Sequence, residues 1–430
     1  MKTKNTIMLR AALVTTLTLF QPISSWADAR NPNTDWFRES RYGVFMHLLP
    51  SNAESLALVD DFDVNALAGQ LESVGAKYFV LTLGQNSGFM NSPNPTYNRY
   101  TGYAPGQRCS KRDLPMDLYK ALRPKGIRLM LYLPCQVPNG DARTQKAFGL
   151  PPGDKDQPID VEFARKWAEV IYDWSSRYKE KVAGWWFDGG YEWIGFNNDI
   201  ARIYADAVKR GNPKAIVTFN PGVKLIRWTQ AEDYTAGELN DPFGVIPTSR
   251  WVDGSQWHAL TYLGSNWSRR DTRYPAEKWA SWIRAAVAAG GVVTIDAGPN
   301  WNPKNGPIGA ISEEQISQLR AIRDALPLLQ KSSGTEAASP AAAATDNVHL
   351  RTARQTSIRI VPKSNPNFNN SPQAEQPQCL TGLWRHPRQQ ARSVSAGVFT
   401  RRRVAASRPR TPYKERWNLS SSAISSLDNV

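Results

Sequence analysis

The stretch Val182-Ala183-Gly184-Trp185-Trp186-Phe187-Asp188-Gly189-Gly190 joins an apolar run to a carboxylate and two glycines. Its first six residues are almost entirely apolar, which is typical of a strand covered on both faces in a parallel sheet. Asp188 follows at once, and the two glycines leave room for a ligand to approach. A carboxylate at the end of a rigid strand is a candidate for catalysis. The alternative is that Asp188 caps the next helix, but the sequence Gly-Gly-Tyr-Glu that follows argues against a simple cap.

Seven further stretches share this apolar character and alternate with segments of helical spacing. Alternating strands and helices predict an α/β fold with a parallel sheet. Eight repeats over about 300 residues are typical of a (β/α)8 TIM-like barrel, here residues 30–330. A doubly wound sheet is the alternative. The predicted strands are Tyr42–His47, Lys77–Leu83, Ile127–Leu133, Val182–Phe187, Ala215–Phe219, Glu232–Ala236, Trp257–Leu263 and Gly291–Asp296. The predicted helices are Val64–Val74, Leu114–Leu122, Val161–Tyr178, Asn198–Lys209, Ala276–Ala289 and Glu313–Ala325.

The amino-terminal segment has the pattern of an export signal. Basic residues at positions 2, 4 and 10 precede the apolar run Ala11–Phe20, and Ala27-Asp28-Ala29 fits a small-x-small cleavage site. The apolar run is shorter than the ~20 residues that cross a bilayer. We therefore predict a signal peptide over residues 1–29, a periplasmic or secreted product, and no membrane insertion after cleavage.

The carboxyl-terminal segment, residues 331–430, differs in composition from the rest of the chain. It holds 15 of the 53 basic residues but only 5 of the 38 acidic ones, which is an excess of ten within a net charge of +15. Few apolar runs occur in it, so it cannot bury enough surface to offset its chain entropy. We predict a basic, low-complexity, disordered tail, with a frameshifted or otherwise non-native end as the alternative. Because the tail lacks interleaved aromatic residues, we expect no nucleic-acid partner.

The cysteines and the motif content restrict the cofactors. Cys109, Cys135 and Cys379 are the only cysteines. In an exported protein Cys109 and Cys135 are the candidate pair for a disulfide, and two free thiols are the alternative. The sequence has no metal-ligand spacing, P-loop or dinucleotide fingerprint. We therefore expect no metal and no cofactor.

The residues that follow the predicted strands suit the binding of a sugar. Active-site groups of a barrel project from the carboxyl ends of its strands. The residues there are rich in carboxylates, amides and aromatic rings, which bind sugar hydroxyls and the apolar face of a pyranose. We expect an oligosaccharide or glycoconjugate substrate. For His47 the alternative is a role in the core. The candidate substrate-binding residues are His47, Gln85, Asn86, Trp186, Glu192, Trp193, His258 and Trp267.

Glycoside cleavage needs two carboxyl groups, one acting as nucleophile or base and the other protonating the leaving oxygen. Asp188 is the candidate nucleophile. Glu238, which follows the sixth predicted strand, is the candidate acid. The other candidates for the second role are Glu192, Asp253 and His258.

Several segments, in order, resemble the α-L-fucosidases of glycoside hydrolase family 29 across about residues 34–325. Gly184-Trp185-Trp186-Phe187-Asp188-Gly189 looks like the nucleophile strand of that family. The other matching segments are Trp36-Phe37, Tyr42–His47, Gly75–Thr82, Asp233–Glu238 and Gly290–Ile308. The resemblance implies a metal-independent, retaining mechanism that acts on α-L-fucosides.

The chain departs from the family pattern at three places. Leu48-Leu49-Pro50 stands where the family usually has Trp-Gly after the first strand. Gly84–Phe89 reads Gly-Gln-Asn-Ser-Gly-Phe instead of Lys-His-His-Asp-Gly-Phe, so the usual sugar-binding His-His motif is missing. Trp257-His258 corresponds to a Trp-Glu motif of the family. Gln85 and Asn86 can still bind hydroxyls, so fucose or a related sugar is expected.

Three functions are compatible with these patterns. The first is an exo-acting, retaining glycosidase, and the family resemblance carries most of it. The second is a non-catalytic carbohydrate-binding barrel that has lost its acid, as the replacement at Trp257-His258 suggests. The third is a barrel enzyme of another class, such as an epimerase or lyase, which the lack of any cofactor signature disfavours.

Overall fold

The computed structural model describes residues 30–153 and 157–326. The predicted signal peptide, residues 1–29, and the predicted tail, residues 331–430, lie outside the described residues. Within the described part of the chain, no helix is both long and apolar enough to cross a membrane.

A curled sheet of seven parallel strands forms the centre of this α/β fold, in the manner of a TIM-like barrel. The strands run in the spatial order β5-β4-β3-β2-β1-β9-β8. They are β1 Tyr42–Met46, β2 Tyr78–Thr82, β3 Arg128–Pro134, β4 Val182–Asp188, β5 Ile216–Phe219, β8 His258–Tyr262 and β9 Val292–Asp296. The remaining two, β6 Trp251–Val252 and β7 Ser255–Gln256, form a short antiparallel hairpin. Seven of the eight predicted strands are thereby confirmed.

All six predicted helices are present, with ends that differ by no more than two residues from the prediction. They are α3 Val64–Ser73, α5 Leu114–Leu122, α7 Val161–Tyr178, α8 Asn198–Gly211, α9 Ala276–Ala288 and α10 Glu313–Ala325. Most begin at a side chain that accepts a backbone N–H, such as Asp160 before α7 and Ser312 before α10. Four short α-helices are also present: α1 Asp35–Ser40, α2 Ala53–Ala57, α4 Pro95–Thr101 and α6 Ala142–Ala147. Short 3-10 helices, among them Glu192–Ile194, lie between these elements.

The sixth predicted strand, Glu232–Ala236, is not a regular strand, so that prediction is wrong. This segment lies between β5 and β8, and only one main-chain hydrogen bond, from the N–H of Asp233 to the carbonyl of Val217 at 2.9 Å, joins it to β5. Two carboxylates supply the other bonds to β5. Asp233 Oδ2 accepts the N–H of Val217 at 2.9 Å, and Glu232 Oε1 accepts the N–H of Phe219 at 2.9 Å. On its other side the segment makes one isolated bridge, from Tyr234 to Gln256 of β7, and a second bridge just beyond the segment joins Glu238 to Leu260 of β8. Side chains therefore bridge the gap that a continuous eighth strand would fill.

Large aromatic side chains fill the sheet interior and hold β3 and β4 in place. The Tyr132 and Trp186 rings stack with centroids 5.4 Å apart and planes 15° apart. Phe45 meets both rings edge-on. Because these side chains are almost completely buried, the strand ends beyond them are rigid platforms for functional groups.

Cys109 and Cys135 are both free and buried, so the disulfide alternative is wrong and the free-thiol alternative holds. Cys135 directly follows β3, whereas Cys109 pairs through its backbone with Met90 in a separate loop. Burial raises the pKa of both thiols, which keeps them protonated.

Candidate active site

Asp188 is the last residue of β4, and its carboxylate is held from both sides. Its Oδ2 accepts the Tyr132 hydroxyl at 2.6 Å. Its Oδ1 accepts the N–H of Gly189 at 2.9 Å and the Asn220 amide at 3.0 Å. The short helix that follows, Glu192–Ile194, begins without a side-chain cap. Asp188 is therefore oriented by groups from three strand ends and does not cap a helix.

The Asn220 side chain joins Asp188 to Glu238. Its Nδ2 lies 3.0 Å from Oδ1 of Asp188 and 2.5 Å from Oε2 of Glu238. The two carboxylate oxygens therefore cannot be further apart than the sum of these distances, about 5.5 Å. This upper limit, which applies to one oxygen of each group, is compatible with the ~5–5.5 Å that separates the carboxyl groups of retaining glycosidases.

The environment of Glu238 favours its protonated form. Burial, followed by the negative charge of Asp188, raises the pKa of Glu238 above its ordinary value. The hydrogen bond from Asn220 and the proximity of His47 oppose this rise in part. Glu238 is thus biased toward holding a proton, and hydrogen-bond donors orient Asp188. These properties suit an acid and a nucleophile, respectively.

Two cavities meet at this carboxylate pair. The cavity of about 270 Å³, which we call the inner cavity, is lined by His47, Trp186, Trp267 and Ser268 among others. The cavity of about 360 Å³, which we call the outer cavity, extends in the other direction past Trp193. Both cavities are lined by the same four shared residues: Gln85, Asp188, Tyr191 and Glu238. A ligand that spans both cavities must therefore cross the carboxylate pair.

His47 is fixed at the inner cavity by a buried carboxylate. Its Nδ1 lies 2.9 Å from Oδ1 of Asp296, the last residue of β9. The Trp267 ring packs edge-on against the imidazole, with centroids 5.4 Å apart. A ring held through one nitrogen keeps a defined orientation for the other, as a hydroxyl ligand would require. This arrangement favours the site over the core as the role of His47.

The structure brings most of the predicted site residues together. Gln85 donates to the Tyr132 hydroxyl at 2.6 Å, and its amide nitrogen also lies 3.5 Å from Asp188. The other residues that line one or both cavities are His47, Asn86, Trp186, Trp193, Trp267, Asp188 and Glu238. Glu192 is exposed and lines neither cavity, although its neighbours do.

His258 does not reach the site, and the prediction that it binds substrate is wrong. It is the first residue of β8, so it lies at the amino edge of the sheet, opposite to the edge that carries Asp188. Its ring nitrogens pair with the carbonyl of Thr235 at 2.8 Å and the hydroxyl of Thr294 at 2.6 Å. Burial lowers its pKa to about 4. It is a neutral core histidine with both nitrogens satisfied.

Sequence reasoning missed three residues that shape the site. Tyr132, Asn220 and Asp296 each contact a predicted site residue, and none was predicted to have a role. Asn220 and Asp296 stand at the ends of the fifth and eighth predicted strands, so their positions were visible in the sequence. Tyr132 lies inside an apolar strand, and nothing in the sequence distinguishes it from a tyrosine of the core. Among the described residues, no cluster of His, Cys, Asp or Glu could hold a metal ion.

A family model described as Alpha-L-fucosidase matches residues 51–326. The chain belongs to this family, glycoside hydrolase family 29. Membership places the chain, by family and fold, among the fucosidase-like glycoside hydrolases. No curated protein matches the chain at a significant level.

Solved structures share the fold at low sequence identity. An endo-fucoidan hydrolase of glycoside hydrolase family 107 is 16% identical to this chain, with a TM-score of 0.54. The match covers 69% of this chain and 54% of the hydrolase chain. A bacterial fucosidase bound to an iminocyclitol inhibitor is 20% identical with a TM-score of 0.50, covering 69% and 75%. The Lactobacillus casei α-L-fucosidase in complex with α-L-fucose is 17% identical with a TM-score of 0.50, covering 68% and 98%. The family 29 chain thus spans about half the length of the family 107 structure.

Proposed function

We propose that this family 29 protein is an exo-acting, retaining glycosidase that releases a terminal α-L-fucose or a related sugar. Asp188 is the nucleophile and Glu238 is the general acid. The observation that carries this proposal is the Asn220 bridge, which keeps one oxygen of Asp188 within about 5.5 Å of one oxygen of Glu238, as a retaining mechanism needs.

The reaction proceeds in two steps on these residues. An oxygen of Asp188 attacks the anomeric carbon while Glu238 gives its proton to the departing glycosidic oxygen, which breaks the glycosidic bond. Glu238, now ionised, then removes a proton from water, which attacks the same carbon and frees Asp188. The donors on Asp188 fix its orientation where the two cavities meet, and the raised pKa of Glu238 keeps the acid protonated before the first step.

The inner cavity holds the sugar that is released. Its volume, about 270 Å³, is below the ~300–1,000 Å³ of pockets for drug-sized ligands, which suits one terminal residue rather than a chain. His47 and Gln85 supply hydrogen bonds to hydroxyls, and Trp186 and Trp267 supply apolar walls. Gln85 and Asn86 stand where the family has two histidines, so we leave the sugar as fucose or a close relative such as L-galactose.

The alternative function is a non-catalytic carbohydrate-binding barrel. The missing His-His motif at Gln85 and Asn86 favours it, because this motif grips the sugar in the resembling family. The Asn220 bridge between Asp188 and Glu238 argues against it, because a pocket that only binds has no need for two carboxyl groups at this separation.

We also propose that the protein is exported to the periplasm or the medium. The pattern of positions 2–29, with a basic start, a short apolar run and Ala27-Asp28-Ala29, supports this proposal. Expression of the full chain in a bacterial host, followed by mass spectrometry of the amino terminus of the product, tests the proposed export. An amino terminus directly after Ala29 supports export, and a cytoplasmic product that starts at Met1 contradicts it.

The decisive experiment is hydrolysis of a panel of nitrophenyl glycosides by the full chain, beginning with the α-L-fucoside and the α-L-galactoside. We expect turnover of at least one, with the α anomer as the first product in an NMR time course. First formation of the β anomer would contradict retention. Sugar binding by calorimetry without turnover of any member would establish the binding barrel.

A further inference from the structure

Glu232 is a buried residue whose carboxylate joins the end of β5 to the loop that follows this strand. Its Oε1 accepts the N–H of Phe219 at 2.9 Å. Its Oε2 accepts the N–H groups of Trp228 and Thr229 at 2.5 Å and 3.0 Å. Only 4% of the residue is exposed. Because these donors are backbone groups, the carboxylate fixes the main chain on both sides of it.

The end of β5 carries the amide that connects the two catalytic carboxyl groups. Phe219 is the last residue of β5, and Asn220 follows it directly. The N–H of Asn220 donates to the carbonyl of Phe187 at 2.8 Å, and its carbonyl accepts the N–H of Gly190 at 2.8 Å. These two partners lie on either side of Asp188 in the chain. A shift at the end of β5 therefore moves the Asn220 amide relative to both carboxyl groups.

The two acceptor oxygens of Glu232 serve two different parts of the chain. A carboxylate accepts at both oxygens, whereas an amide of the same shape has one oxygen and an NH₂ group that only donates. In Glu232→Gln the side chain can satisfy either Phe219 or the loop, but not both. The N–H groups on the other side then lose their acceptor inside the protein, and the backbone gains free energy by moving toward another one.

We propose that Glu232 is a positioning residue of the active site, which places the Asn220 amide between Asp188 and Glu238 by fixing the end of β5. This inference rests on the proposed glycosidase function. It extends that function to a residue that touches neither the substrate nor the reacting atoms.

The neighbouring Asp233 provides a matched comparison. It is also a buried carboxylate, and its Oδ2 accepts the N–H of Val217 in β5 at 2.9 Å. Val217 lies three positions before Asn220, whereas Phe219 adjoins it. Both carboxylates therefore stabilise the same strand, but only Glu232 holds the part of it next to the amide.

Steady-state kinetics of the full chain on nitrophenyl α-L-fucoside, or on the α-L-galactoside where the panel identifies that sugar, is the first test. Glu232→Gln should lower kcat by about tenfold and change KM by less than about twofold, because it misplaces reacting groups and leaves the inner cavity intact. Asp233→Asn should lower kcat by less than about twofold, even where it lowers the melting temperature as much. Equal losses of kcat in the two variants would overturn the proposal.

The pH profile reports the position of the amide. Burial and the charge of Asp188 raise the pKa of Glu238, and the hydrogen bond from Asn220 opposes this rise. A displaced amide leaves the pKa of Glu238 higher. On the phenyl glycoside of the same sugar, whose departing oxygen needs the proton, the alkaline limb of kcat/KM should therefore move to higher pH in Glu232→Gln. It should stay in place in Asp233→Asn, and an unmoved limb in both variants would overturn the proposal.

A double-mutant cycle tests whether Glu232 acts through Asn220. Asn220→Ala alone should lower kcat by about tenfold or more, and adding Glu232→Gln should lower it by less than about twofold further. Losses that multiply would overturn the proposal. If Glu232→Gln does not fold, Glu232→Asp replaces it in each comparison, because a side chain that is one methylene shorter cannot reach β5 and the loop together. An unchanged kcat in Glu232→Asp would then overturn the proposal.

The outcomes separate this inference from the function on which it rests. No turnover of any glycoside by the unaltered protein would refute the glycosidase itself. Turnover by the unaltered protein, with the same kcat and the same pH profile in Glu232→Gln and Asp233→Asn, would leave the glycosidase standing and refute the positioning role.

Discussion

His47 follows β1 at the carboxyl edge of the sheet, whereas His258 begins β8 at the amino edge. Asp296 holds one nitrogen of His47, and the ring lines the inner cavity. The backbone of Thr235 and the hydroxyl of Thr294 take both nitrogens of His258, which lines no part of either cavity. The histidine at the carboxyl edge therefore faces a cavity, whereas both ring nitrogens of the histidine at the amino edge form hydrogen bonds inside the protein.

The same contrast holds for carboxylates. Glu238, near the carboxyl edge, shares a single amide donor with Asp188. Glu232, deeper in the fold, accepts backbone N–H groups from Phe219, Trp228 and Thr229. Two glutamates six positions apart therefore have different tasks, one facing a substrate cavity and the other joining a loop to the sheet. The number of hydrogen-bond donors around each carboxyl group, rather than the residue type, decides which of the two is available for chemistry.

The largest expected effect comes from altering one residue at each edge. Asp188→Asn should lower kcat/KM by about 10³-fold or more, because the amide cannot form the covalent bond, and should leave the melting temperature almost unchanged. His258→Ala should reduce the free energy of unfolding by about 2 kcal/mol and leave the activity of the folded protein within about threefold. Steady-state kinetics and thermal melts of both variants check this. A stable but inactive His258→Ala protein would contradict the assignment of catalysis to the carboxyl edge and of a structural role to the amino edge.

Glu238→Gln is the next largest. It should lower kcat/KM for natural glycosides by roughly 10²–10⁴-fold and spare substrates with very good leaving groups, which need no proton. Because burial raises the pKa of Glu238, the acid stays protonated to higher pH than an ordinary glutamate, and activity is lost as the pH rises through that pKa. That alkaline decline should be absent from the variant. Equal losses on good and poor leaving groups would assign the acid to another residue.

A smaller effect is expected at the wall of the inner cavity. Trp267 packs against His47 and against Tyr262, with ring centroids 5.4 Å and 4.5 Å apart. Trp267→Ala should raise KM by about tenfold with a smaller change in kcat, because it removes a wall without touching the reacting atoms. Trp36→Ala, which alters a tryptophan outside both cavities, is the control. A fall in kcat with unchanged KM would place Trp267 in the chemistry instead.

The smallest effect is a difference in how stability depends on pH. Burial raises the pKa of Glu232 to about 8, so the folded state binds a proton that the unfolded chain releases near pH 4.5. This contribution to stability is therefore lost as the pH rises toward 8. Burial lowers the pKa of His258 to about 4, so its contribution is lost as the pH falls below about 6.5. Melting curves of Glu232→Gln should show a weaker decline toward pH 8 than the unaltered protein, and an identical decline would contradict the assignment.

The sequence was sufficient for the strands and helices that have an uninterrupted pattern. The apolar run before Asp188 predicted β4, and the amphipathic spacing of Val161–Tyr178 predicted α7 with both ends correct. Glu232–Ala236 failed because its pairing with β5 has one main-chain bond and otherwise depends on the side chains of Glu232 and Asp233, which no periodicity reveals.

The site was predictable in part for the same reason. Asp188 and Glu238 were selected because each follows a predicted strand, and Asn220 connects them in a way that only three-dimensional geometry shows. His258 was wrongly predicted to bind substrate, although it lies near the start of the predicted strand Trp257–Leu263 and therefore at the amino end, away from the site. Tyr132 required knowledge of which side of β3 meets Asp188.

The most direct test of the account is covalent labelling of the full chain with 2-deoxy-2-fluoro-α-L-fucosyl fluoride, a slow substrate whose enzyme-bound intermediate accumulates in a retaining glycosidase. Peptide mapping by mass spectrometry then locates the sugar. We predict one adduct on the peptide that contains Asp188, and none in the Asp188→Asn variant. An adduct on Glu238 or Glu192, or turnover of fucosides without any adduct at Asp188, would contradict the account.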